Sequence, residues 1–145
     1  MEGMLAGAGS WQAYIVVVMF MVSARESARR VDEHVSFIGA AVAAGVRHVV
    51  YTSLYQAAAD AVFTFARDHW ATEEHIRASG LRWTFLRNCL YLDLVPMIGA
   101  RRPHLRSDRT SYLAIAAGQQ AGLSDDVERI TGQPPLGLRE MLSRS

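Results

Sequence analysis

Two stretches of this chain, AAVAAGVRHVVYTS (residues 40–53) and IRASGLRWTFLRN (residues 76–88), carry the same device. In each, a helix-favouring run meets a glycine and turns at once into a β-branched or aromatic run. Glycine adopts the left-handed conformation that closes a helix without a Cβ penalty. The residues that follow suit a pleated strand. Two helix–glycine–strand joints in succession restrict the fold to strands linked by helical crossovers, which is a parallel sheet.

The flanking periodicity supports this. Residues 14–22 are continuously apolar, YIVVVMFMV, the pattern of a strand covered on both faces. Over residues 26–44, Val31, Val35, Ile38 and Val42 fall at helical spacing, with Arg29, Arg30 and Glu33 outside. A second strand occupies residues 46–53. A second helix opens near Ala66, carries Ile76 and stops before Gly80; a third strand covers residues 81–88. Further on, GARRPHLRSDR (residues 99–109) reads as a basic linker. Short helices are expected over 110–122, 125–130 and 136–143. The organisation is thus a flexible start (1–13), a sheet domain (14–98), the linker, and a helical C-terminal tail (110–145).

Composition narrows the function. Fifteen basic residues against fourteen acidic ones leave a net charge of +1, which gives no pull toward nucleic acid. The apolar run 13–22 is half the ~20 residues that a membrane-spanning helix needs. It also lacks the basic start and small-residue cleavage site of a signal peptide, so the cytoplasm is the expected location. Cys89 is the single cysteine, and no Cys/His cluster has structural zinc spacing. Gly3, Gly7 and Gly9 lack the preceding strand and following helix that a phosphate loop requires.

In an open parallel sheet, ligands sit at the C-terminal strand ends. Those ends supply Ser23 after the first strand and Thr52 and Ser53 after the second. Arg87, Asn88 and Tyr91 follow the third. His69 and Glu73, one helical turn apart, share a helix face. They read as a surface pair, as cofactor contacts or as part of a metal site. The last requires a third converging ligand, and His75 lies on another face.

SARESARRVDEHVSFIGAAVAAGVRHVVYTS (residues 23–53) and DHWATEEHIRASGLRWTFLRNCLY (residues 68–91) together resemble the NmrA-like, atypical short-chain dehydrogenase/reductase group. Within it they resemble the NAD(P)H:quinone oxidoreductase type 2 branch. SYLAIAAGQQAGLSDDVERITGQPPLGLREML (residues 111–142) is similar to the C-terminal tail of that branch. The resemblance implies an α/β, Rossmann-like fold in which the strands here are the fourth, fifth and sixth of the family sheet. The Tyr-x-x-x-Lys pair of ordinary members falls on Phe65 and His69. A phenyl ring donates no proton, so the usual carbonyl reduction is excluded. The chemistry implied for the branch is hydride delivery from NADP(H) or NAD(H) to a quinone, with the protein orienting the two rings.

By the same resemblance Ser23, Thr52 and Ser53 face the dinucleotide. His69, oriented by Glu73, meets the ribose or the nicotinamide amide. Asn88 and Tyr91 border the nicotinamide and quinone pocket. The Gly-x-x-Gly-x-x-Gly unit of the family occurs nowhere in the 145 residues. Cofactor affinity is therefore expected to be weak, and residues 14–22 are expected to form an open apolar edge prone to self-association. Two functions stay open: a quinone oxidoreductase-like protein, weak or inactive by itself, and a non-catalytic NAD(P)-binding redox-sensing regulator acting through a protein partner.

Overall fold

The computed structural model describes residues 17–89, 106–122, 124–137, 139–140 and 143. The elements run β1 (Val18–Met21), α1 (Arg30–Ala43), β2 (His48–Leu54), α2 (Thr64–Ala78), β3 (Arg82–Asn88), α3 (Arg106–Ala116) and α4 (Asp126–Thr131). The strands form one sheet in the order β1-β2-β3, and both pairs are parallel. This is the expected α/β, Rossmann-like arrangement of three strands with crossover helices. Gly45 and Gly80 end α1 and α2 at φ of +77° and +79°, as the two joints require.

Both crossover helices pack on one face of the sheet. Ile38 of α1 and Ile76 of α2, each fully buried, meet Met21, Val49 and Tyr51 there, with Met19 and Phe85 alongside. Each isoleucine contributes about 1.5–3 kcal/mol from removal of its apolar surface from water. On the opposite face Val18 and Phe20 are more than half exposed and Leu86 is also open to solvent. Among the described residues β1 is therefore an edge strand with one covered face, and not the doubly covered strand that its apolar run suggests. The expected residues 14–16 of this strand lie outside the described residues, as do Gly3, Gly7 and Gly9.

Helix α1 is rotated from the expected orientation. Its buried stripe is Arg30, His34, Ile38 and Ala41, while Val42 is exposed. Arg30, expected on the outside, is wholly inaccessible. The physical reason is on the neighbouring helix, which offers the polar partners described below.

The C-terminal tail is joined to the sheet domain. Ala114 of α3 is fully buried in a second cluster with Leu54, Ala61, Phe63 and Ala66 around the β2–α2 connection. Gln119 accepts the Val62 backbone N–H at 3.1 Å. A Cβ on Gly122 would lie 1.5 Å from the Tyr55 hydroxyl, so any other residue here would have to displace the Tyr55 ring. Helix α3 starts at Arg106, inside the span expected as linker; arginine is itself a good helix former. The rest of that linker is outside the described residues. Of the last expected helix, residues 139, 140 and 143 are helical.

Candidate functional site

The strand ends do converge. Thr52 and Ser53 are successive residues of a strand, so their side chains point to opposite faces, and the two faces give them different partners. Thr52 Oγ1 accepts the Ser23 backbone N–H at 2.9 Å, fastening the end of β1 to β2. Both residues are half-buried at the rim. Asn88, at the end of β3, is also half-buried and accepts the Tyr55 N–H through its carbonyl at 2.8 Å. Tyr91 lies outside the described residues.

Ser53 points the other way, into the helix layer, where it is 3% exposed and donates to Glu73 Oε1 at 2.6 Å. Glu73 is fully buried. Its carboxylate also receives Arg87 through Nε at 3.0 Å and Nη2 at 2.6 Å, and Arg77 Nη2 at 2.8 Å. Four donors fill the acceptor capacity of a carboxylate. Burial alone would raise the Glu73 pKa, but the hydrogen bonds from Arg87, Ser53 and Arg77 outweigh it and hold the group below its ordinary value. The Arg87 guanidinium is pushed up by the same bonds. Arg77 lies over the rings of Trp70, Trp83 and Phe85 at 4.9–5.3 Å.

His69 is not a surface residue and does not take its orientation from Glu73. It is 2% exposed. Arg30 Nη2 lies 2.9 Å from its Nε2, and the Tyr51 hydroxyl lies 2.9 Å from its Nδ1. A guanidinium can only donate, so Nε2 accepts and the ring proton sits on Nδ1, which donates to Tyr51. His34 is arranged in the same way: its Nε2 accepts the Ala24 N–H at 2.9 Å, so Nδ1–H donates to Thr72 Oγ1 at 2.8 Å. Thr72 then donates to the Asp68 carbonyl at 2.9 Å.

Burial, followed by the Arg30 charge, lowers the pKa of His34 to about 4 and that of His69 to about 3. Burial raises Tyr51 to about 12. Arg30 is itself lowered by burial, opposed by its interactions with Tyr51, Asp68 and Glu26. The Phe65 ring stands edge-on to His69 at 4.9 Å, and the Arg30 guanidinium lies 4.0 Å from its centroid. With Phe65 apolar and the Tyr51 proton held tightly, neither is fit to act as a general acid near neutrality.

Sequence reasoning missed Arg30, His34, Tyr51 and Thr72. One signal was available: Arg30 and His34 are four residues apart and in line with Ile38. Among the described residues no cluster of three or more His, Cys, Asp or Glu side chains could hold a metal ion. No described helix is long and apolar enough to cross a membrane.

No protein-family model matches the chain. Quinone oxidoreductase 2 of Escherichia coli (strain K12) is 37% identical over 73 residues, which is 50% of this chain and 25% of that protein. The crystal structure of the NADPH-dependent quinone oxidoreductase from Escherichia coli, complexed with NADPH, superposes with a TM-score of 0.52 at 33% identity. It covers 58% of this chain and 30% of that one. Triphenylmethane reductase from Citrobacter sp., complexed with NADP(H), gives a TM-score of 0.72 over 89% of this chain and 76% of that one. At 19% identity that match speaks to the fold alone. The aligned region spans a quarter of the length of the curated relative. Over that region the chain is homologous to quinone oxidoreductase 2, and its sheet and crossover helices share the Rossmann-like fold of the NAD(P)-binding reductases.

Proposed function

We propose that this chain forms the nicotinamide-side wall of an NAD(P)H-dependent, quinone oxidoreductase-like protein of the cytoplasm. The reaction is transfer of a hydride from the nicotinamide to a quinone; a proton from solvent completes the hydroquinone. The observation that carries the reading is the 37% identity to a quinone oxidoreductase. The loss of a proton donor at Phe65 agrees with it, because a quinone accepts hydride without the pre-positioned tyrosine acid that an isolated carbonyl uses.

In this reading Ser23, Thr52 and Asn88 form the rim that meets the dinucleotide, NADP(H) or NAD(H), and Tyr91 extends it toward the quinone. His69, Ser53 and Glu73 support that rim from behind, since their polar atoms are engaged with protein partners. Affinity is weak, because the 145 residues carry no glycine-rich loop for the pyrophosphate. The exposed β1 edge adds self-association of the chain.

Quinone-dependent oxidation of NADPH, followed at the nicotinamide absorbance with a soluble benzoquinone, tests the reading. Slow turnover that requires both the quinone and the chain is expected. Binding without turnover would favour the redox-sensing regulator, and neither binding nor turnover at millimolar NADPH would overturn both.

A further inference from the structure

The turn after β1 is held almost entirely by side chains. Ser23 N–H goes to Thr52, Ala24 N–H goes to His34, and the Ala24 carbonyl receives Arg30 Nε at 2.8 Å. The two α1 side chains that hold Ala24 are the same two that reach α2. Arg30 reaches His69 Nε2, and His34 reaches Thr72. Arg30 also stacks on Phe65 and lies 3.7 Å from the Asp68 carboxylate. One buried guanidinium therefore touches the β1 turn and three residues, Phe65, Asp68 and His69, that share one face of the first turns of α2.

We propose that Arg30, assisted by His34, is the positioning residue of this crevice. It locks the Ser23–Ala24 turn and the His69 ring into one arrangement, keeps His69 neutral with Nε2 withdrawn from any ligand, and itself supplies the positive charge beside Phe65. This rests on the functional reading above in one respect only, that the Ser23 rim is where a nicotinamide dinucleotide lies.

Three features set this apart from generic packing. A methionine would fill much of the space without choosing a histidine tautomer, whereas a guanidinium dictates one. Arg30 Nη1 is buried with no hydrogen-bond partner among the described residues and has only the Asp68 carboxylate at 3.7 Å beside it, a placement that an apolar side chain would not need. The bonds run in one direction, from Arg30 to His69 Nε2 and from His69 Nδ1–H to Tyr51, so the guanidinium fixes which ring nitrogen carries the proton.

The test is nitrogen-15 NMR of the imidazole rings in the intact chain at neutral pH. Both His34 and His69 should show the neutral Nδ1–H pattern. In Arg30→Met, His69 should lose its fixed tautomer and titrate about one pH unit or more higher, because the nearby cation is gone. The amide resonances of Ser23 and Ala24 should shift with it. Arg30→Lys keeps the charge but cannot bridge Ala24 and His69, so it should restore the low titration and not the tautomer. An Nε2–H or charged His69 in the unmodified chain would overturn the proposal, and that readout does not depend on a variant folding. So would a folded Arg30→Met whose His69 matches the unmodified chain. If the tautomer is as stated but NADPH leaves the Ser23 amide unmoved, the positioning role stands and the functional reading falls.

Discussion

Helix α2 carries two polar clusters, one per half, and they solve the same problem by opposite means. The later half holds Glu73, a buried charge surrounded by four donors from Ser53, Arg77 and Arg87. The earlier half packs against Arg30 of α1, a buried charge of the other sign whose neighbours are neutral imidazoles, a phenol, a phenyl ring and one carboxylate at 3.7 Å. The first cluster is electrostatically closed. The second is more loosely paired, its Arg30 Nη1 having no hydrogen-bond partner among the described residues and only the Asp68 carboxylate at 3.7 Å. A fully satisfied network rigidifies a core, whereas a buried polar atom without a hydrogen-bond partner asks what the arrangement is for. The difference separates the residues of α2 that hold β3 in place from those that shape the crevice.

Breaking the closed cluster should cost most. Glu73→Ala leaves two arginines and a serine facing a void and should destabilise the fold by about 3–5 kcal/mol, read as a lower urea midpoint. The histidine side should respond to acid instead. A histidine whose folded pKa lies below its unfolded value of 6.5 binds fewer protons when folded. Stability is therefore level above about pH 6.5 and falls as pH drops toward the folded values near 4 and 3. Between pH 7 and pH 5 urea unfolding should show a loss of about 2 kcal/mol per histidine. Glu73 adds its own loss only below its unfolded value of about 4.5, since its folded pKa is depressed. A flat profile from pH 7 to pH 5 would contradict the neutral tautomers.

Two smaller changes sharpen the contrast. Tyr51→Phe removes the acceptor for His69 Nδ1–H and should cost about 1–3 kcal/mol by thermal unfolding. Arg77→Ala removes one of the four bonds to Glu73, the exposed pair to Glu74 and the packing over Trp70, Trp83 and Phe85, and should cost about 1 kcal/mol in the same assay. A reversed order would mean that the closed cluster depends on Arg77 rather than on Arg87.

The sheet was legible because its signals are local. Gly45 and Gly80 punctuate the chain, and the residues after them suit strands whatever they pack against. Each of β2 and β3 begins within two residues of expectation. The β1 environment was not legible, since a continuous apolar run says that a strand wants cover on both faces and not whether it has it. The face of α1 was misread for a related reason. The stripe Val31–Val35–Ile38–Val42 and the stripe Arg30–His34–Ile38–Ala41 share Ile38, and hydrophobicity alone selects the first. The second wins because α2 presents His69, Thr72 and Asp68 to it, a fact stored thirty-odd residues away in the chain. For the candidate site, strand-end position located Ser23, Thr52 and Asn88 at the rim. The same rule also named Ser53, which strand alternation turns inward to Glu73.

The most direct test of the central claim is an amide NMR titration of the intact chain with NADPH. Progressive, saturable shifts are expected at Ser23, Ala24, Thr52 and Asn88. Saturating NADPH that leaves these four amides unmoved, or moves only the exposed sheet face around Val18 and Phe20, would contradict it.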